Sequence, residues 1–154
     1  MDLFNELCSL LSDFHSENVE YALCGGLAMA VYAFPRSTLD IDIMIREEDL
    51  ERVKKIVKQL GFVHDSGKMS FKKGAVKIYR MTKLDQKSQE PLILDMLLVT
   101  NEIKDVWESR RRVVWDQGFL WVVSPEGLIR LKSIRSSGQD QDDINNLRSL
   151  LDED

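Results

Sequence analysis

The sequence predicts an α/β (α+β) fold: a mixed β-sheet flanked by helices, with a short C-terminal helical pair. Three observations carry this expectation. Near the start, Leu3, Phe4, Leu7, Leu10, Leu11 and Phe14 recur at helical spacing, and a second amphipathic pattern occupies the last residues. Between them lie short runs with strand character, notably "LDIDIMI" (39–45), which alternates. A third, "PLILDMLLV" (91–99), is nearly all apolar, as in a central strand. The 154 residues suffice for one domain with a real core, so 1–154 reads as a single domain and 124–154 as a candidate helical subdomain.

Taken in order, residues 2–16 read as an amphipathic helix and 19–24 ("VEYALC") as a strand ended by Gly25-Gly26. "LAMAVYAF" (27–34) reads as a short buried helix stopped by Pro35. After the 39–45 strand, Glu47, Glu48 and Asp49 place acids at a helix start, where the dipole favours them. Leu50, Val53, Ile56, Val57 and Leu60 make one stripe, and Gly61 suits the position just past its end. Shorter strands are expected at 62–64, 69–72 and 76–81, with Gly67 and Gly74 marking turns. Beyond the 91–99 strand, 102–111 is expected to be helical and 119–123 a strand. Ser124-Pro125-Glu126 has an N-cap with Pro at the first helical position, opening a helix to about Ile134. "SSGQDQ" reads as a loop, and 143–151 as the last helix.

Composition narrows the function classes. With 44% hydrophobic and 31% charged residues the chain is neither disordered nor membrane-spanning. Its apolar runs fall well short of the roughly 20 residues of a spanning helix. The N-terminus has no basic region ahead of its apolar residues and does not read as a signal peptide. Cys8 and Cys24 show no metal-ligand spacing and are too few for a disulfide scaffold, so a cytoplasmic location is expected. The net charge of −5 argues against broad, non-specific nucleic-acid binding. Locally, 66–90 carries seven Lys and Arg against two acids; it is either the solvated face of a hairpin or a surface for an anionic substrate.

The chemistry is concentrated in the carboxylates. Alternation puts Asp40 and Asp42 on one face of their strand, with Cα atoms about 6.6 Å apart, while Ile41, Ile43 and Ile45 take the other face. An ionised carboxylate inside an apolar strand needs a compensating charge. Two on one face favour a hard divalent cation with oxygen ligands, Mg²⁺ or Mn²⁺. Asp95 is a third acid, set within the apolar run 92–99. Alone it reads as a buried Asp that accepts backbone hydrogen bonds or pairs with a distant Arg. Beside Asp40 and Asp42 it completes the kind of three-acid site that metal-assisted phosphoryl transfer uses. A Gly25-Gly26 turn between strand and helix lets backbone N–H groups approach a phosphate, although the same turn also occurs without a ligand.

"CGG" followed by "LDIDI" resembles the nucleotidyltransferase signature, an apolar residue with Gly-[Gly/Ser], a spacer, and Asp-x-[Asp/Glu] between apolar residues. Asp95 resembles the third carboxylate of that superfamily, the DNA polymerase β-like nucleotidyltransferase fold. Arg36-Ser37-Thr38 ahead of the acids, and the C-terminal "LIRLKSIRSSGQDQDDINNL", are similar to small bacterial proteins related to abortive-infection nucleotidyltransferase toxins. In those, a Lys matching Lys132, an Arg matching Arg135 and acids matching Asp140 and Asp143 recur around a helix–loop–helix. The resemblance covers 19–45, 92–98 and 124–151. Gly26 stands where the commonest pattern has Ser, which removes a hydroxyl from the phosphate site.

The resemblance implies transfer of a nucleoside monophosphate from an NTP to a hydroxyl, with release of pyrophosphate. Asp40, Asp42 and Asp95 would be the catalytic and metal-holding residues, with Asp95 nearest the acceptor. Gly25, Gly26, Arg36, Thr38 and Lys132 would contact the nucleotide. Arg36 either reaches it or caps its own loop, and Lys132 either contacts the triphosphate or pairs with Asp143. The acceptor is open among RNA, a protein and a small molecule. The alternative is a non-catalytic binding protein of the same fold, such as one component of a toxin–antitoxin pair with a cognate partner protein. A metal-dependent Asp-x-Asp glycosyltransferase is a third reading, disfavoured by the Gly-Gly turn and the short chain.

Overall fold

A mixed seven-stranded sheet organises the chain in this computed structural model, which describes residues 1–32, 40–115, 118–135 and 138–152. The elements are α1 (Leu3–Ser16), β1 (Ala22–Cys24), α2 (Gly25–Val31), β2 (Asp40–Ile45), α3 (Leu50–Gln59), β3 (His64–Phe71), β4 (Val76–Leu84), β5 (Pro91–Leu98), α4 (Lys104–Glu108), β6 (Arg111–Trp115), β7 (Gly118–Val122), α5 (Pro125–Arg135) and α6 (Gly138–Asp152). The strand order is β3-β4-β5-β2-β1-β7-β6. β2 runs parallel to β5 and β1 parallel to β7, while the other neighbours are antiparallel.

Alternation in β2 and β5 divides the sheet into a core face and an open face. Ile41, Ile43 and Ile45 are fully buried, as are Leu94, Met96 and Leu98. Each such side chain stabilises the fold by about 1.5–3 kcal/mol relative to exposure. Asp40, Asp42 and Asp95 are half-buried on the other face. The near-continuous apolar run of 91–99 thus resolves into a strand with one sealed face and one that lines a cleft. α1 starts at the cap Asp2, whose side chain accepts from Phe4 N at 2.9 Å. Ser124 caps α5 by accepting from Gly127 N at 3.0 Å.

Four expectations are corrected. The helix expected over 102–111 ends at Glu108, and Arg111–Trp115 is strand β6, paired with β7. Ser109 turns the chain there, with its hydroxyl on the Val106 carbonyl at 2.7 Å, and the following Val113-Val114-Trp115 is β-favouring. Gly67 marks no turn: 64–71 is one strand with a bulge between Asp65 and Gly67, where Gly67 N donates to Asp65 Oδ1 at 2.8 Å. Gly25-Gly26 forms the first turn of α2 itself, with no separate loop between. Finally, α6 begins at Gly138, so the end of "SSGQDQ" is helical. Among the described residues, no helix is long and apolar enough to cross a membrane.

Candidate active site

Strand register sets the site. Arg80 on β4 lies opposite Asp95 on β5, Asp95 opposite Asp42 on β2, and Asp42 opposite Cys24 on β1. Partners in register share a face, so these four side chains form a row across neighbouring strands about 4.8 Å apart. Asp40 lies on the same face, two residues before Asp42. They line a cleft of about 630 Å³ together with Gly25, Gly26 and Lys132. That volume suits a nucleotide-sized ligand. Apolar walls are added by Val76, Ile78 and Leu97 from the sheet, and by Leu128, Leu131 and Ile134 from α5.

Gly25 is required by its surroundings. Its φ of +67° lies in the left-handed region, and an added Cβ would stand 2.8 Å from the Asp42 Cβ and closer still to Asp42 Oδ2. The glycine therefore lets the first turn of α2 sit directly against the second carboxylate. Gly26 follows, buried, with its backbone at the cleft.

The electrostatics centre on Arg80. Its Nε donates to Asp95 Oδ1 at 2.8 Å and its Nη2 to Asp95 Oδ2 at 3.0 Å. These hydrogen bonds, then the charges of Asp95, Asp40 and Asp42, hold the guanidinium above its ordinary pKa against the opposing effect of burial. Asp40 is pushed up, chiefly by burial and then by the Asp95 charge, with Arg80 pulling the other way. Lys132 Nζ lies 2.9 Å from Asp143 Oδ2, and both side chains are less than 5% exposed. The pair with Asp143, one of the two roles open to Lys132, is formed at the cleft wall.

The structure thus brings Asp40, Asp42, Asp95, Gly25, Gly26 and Lys132 to one cleft. Arg36 and Thr38 lie outside the described residues, as do the side chains of Arg135 and Asp140. The distant Arg that the sequence left open as a partner of Asp95 is Arg80, which the sequence did not single out because it meets Asp95 across the sheet rather than along the chain. Its place on alternating 76–81, on the face of Ile78, was the available signal. Phe71 and Lys72 were also missed; both line the cleft at the β3–β4 turn. Lys72 and Lys73 have φ of 51° and 56° and, among the described residues, make no ion pair, whereas Lys68 pairs with Glu47 and Lys83 with Glu6.

The donor set fits a hard divalent ion in chemistry: three carboxylates on one face, two of them in register. As the side chains stand, no three described Asp, Glu, His or Cys groups converge to hold an ion.

No curated protein matches the sequence. Several solved structures share the fold. One is the solution structure of the antibiotic-resistance factor ANT(2'')-Ia, with a TM-score of 0.66, 15% identity and coverage of 98% of this chain and 86% of that one. A crystal structure of ANT(2'')-Ia with adenylyl-2''-tobramycin has a TM-score of 0.62, 15% identity and coverage of 94% and 87%. TM1012 from Thermotoga maritima, described as a putative nucleotidyltransferase, has a TM-score of 0.60, 18% identity and coverage of 98% and 93%. At these identities the likeness establishes the nucleotidyltransferase fold. A family profile described as "Nucleotidyltransferase of unknown function (DUF6036)" matches residues 1–152, and the glycosyltransferase reading falls with that match. With the acid row, the Gly-Gly helix start and the shared fold in place, the chain belongs to this nucleotidyltransferase family.

Proposed function

We propose that the cleft binds an NTP and transfers its nucleoside monophosphate to an acceptor hydroxyl, with loss of pyrophosphate. The observation that carries this reading is the register of Asp42 with Asp95, beside a Gly25 where any side chain would be strained and would press on Asp42. Asp40, Asp42 and Asp95 would hold Mg²⁺ or Mn²⁺, which supplies charge neutralisation for the triphosphate and the developing oxyanion. The backbone N–H groups of Gly25 and Gly26 hold the β- and γ-phosphates. Asp95 accepts the proton of the acceptor hydroxyl as its oxygen attacks the α-phosphorus. The new P–O bond forms as the bond to the β-phosphate oxygen breaks. Lys132, held by Asp143, stands at the wall where the nucleotide enters.

The Asp95 side of the cleft carries Lys72 and the neighbouring Lys73, with Phe71 48% exposed beside them. A basic rim with an aromatic surface supports an anionic acceptor such as an RNA end over a cationic small molecule. Incubation with each labelled NTP, Mg²⁺ or Mn²⁺ and a cell extract tests the reading. The expected result is label transferred to an RNA and lost in Lys72→Glu/Lys73→Glu. Label on no acceptor with any NTP would remove the enzymatic reading, and label on a protein or small molecule would remove the RNA assignment.

A further inference from the structure

The chemistry set out above needs Asp95 open, yet Arg80 takes both of its oxygens in a bidentate fork. The two partners differ in freedom: the Asp95 side chain is 12% exposed and the Arg80 side chain 38%. Arg80 is therefore the partner with room to move, and it lines the same cleft as the glycines and Lys132. Its charge also reaches Asp40 and Asp42, so among the described residues it acts on all three acids. A cation entering alone must displace the fork and face its positive charge. A triphosphate changes that balance, because a guanidinium matches phosphate oxygens as well as it matches a carboxylate.

We infer that Arg80 is a positioning residue that exchanges partners, from Asp95 in the nucleotide-free protein to the triphosphate of the incoming NTP, and so makes metal loading depend on the nucleotide. The inference rests on the metal-dependent reading of the cleft. It assigns the cleft a mobile positive charge, which the Gly25-Gly26 turn does not supply. Because the coupling is reciprocal, the ion also tightens nucleotide binding: once Asp95 turns to the cation, Arg80 is released to the phosphates.

Two variants of the full chain test this. Arg80→Met keeps an unbranched apolar stem and removes the fork. Arg80→Lys keeps the charge and loses the bidentate geometry. Binding of Mn²⁺ is followed by the electron paramagnetic resonance signal of the free ion, first alone and then with an ATP analogue whose α,β-bridge is a non-cleavable methylene. Affinity for the analogue itself is measured in parallel.

Arg80→Met should bind Mn²⁺ without nucleotide about tenfold more tightly than wild type, an ordinary size for such coupling. It should bind the analogue more weakly, and the analogue should enhance its Mn²⁺ affinity less. Arg80→Lys should fall between. If the analogue strengthens Mn²⁺ binding to wild type but the variants match wild type in Mn²⁺ and analogue affinity, Arg80 is only a structural partner of Asp95 and the exchange is overturned. If Arg80→Met does not fold, Arg80→Lys alone decides by the same comparison. If wild type binds no Mn²⁺ even with the analogue, the metal-dependent reading fails and the exchange fails with it.

Discussion

Gly25 and Asp42 touch across the β1–β2 pair: a Cβ on Gly25 would stand 2.8 Å from the Asp42 Cβ, at a backbone φ of +67°. The turn that begins α2 and the carboxylate at the middle of the acid row therefore occupy one tightly shared space. Gly25→Ala should destabilise the protein by about 1–3 kcal/mol, from left-handed strain together with the displaced carboxylate. Thermal unfolding measures this, as a drop of several degrees for a chain of this size. An unchanged melting temperature would mean that the turn relaxes freely away from Asp42.

Asp42→Asn should abolish nucleotidyl transfer and leave the fold intact. Among the described residues three acids and one Arg share the face, and removing one negative charge lowers the repulsion among those acids in the metal-free protein. Melts without metal should place the variant equal to wild type or slightly above it. A loss of several degrees would make Asp42 a structural residue.

The raised pKa of Asp40 carries a pH dependence of definite sign. Its carboxyl holds a proton more readily folded than unfolded. The resulting stabilisation is fully present below the ordinary aspartate range and is lost as pH rises through the raised value. Asp40→Asn should therefore be more stable than metal-free wild type at pH 7, with the gap closing as pH falls below the ordinary value. Melting temperatures across pH 3–7 check this, and a gap that widens toward acid pH would contradict it.

Lys132 and Asp143 form a buried ion pair at the cleft wall. Lys132→Met leaves a buried carboxylate without its ammonium partner and should cost about 3–5 kcal/mol. The double variant Lys132→Met/Asp143→Leu should recover most of that loss, because the uncompensated charge is gone. Denaturant titrations of the three proteins measure the cycle. Additive losses in the double variant would show that the two residues act independently.

Much of this arrangement was legible along the chain, because strand period alone fixes that Asp40 and Asp42 share a face opposite Ile41, Ile43 and Ile45. The long stripes of α1 and α3 and the Ser124-Pro125 start of α5 were legible for the same local reason. What depends on pairing was not. Asp95 meets Asp42 through a parallel register between strands far apart in sequence, and Arg80 meets Asp95 through an antiparallel one. Neither register has a short-range signature. β6 was read as the end of a helix, since five residues with three arginines before or within them suit a helix C-terminus as well as a strand. The positive φ of Gly25 and its close approach to Asp42 are likewise properties of the folded backbone, with no signature along the chain.

A nucleotide held through a cation by the acid row is tested most directly by thermal stabilisation with NTP and Mg²⁺. Three carboxylates repel a bare triphosphate, so neither ligand alone should shift the melt much. Together, at about 100 times Kd, they should stabilise the protein by about 2.7 kcal/mol, a rise of several degrees. Gly26→Val should lose most of that rise, because a branched Cβ obstructs close approach of the phosphate to the turn. If no NTP with Mg²⁺ or Mn²⁺ raises the melting temperature of wild type, the cleft is not a nucleotide site and the account is wrong.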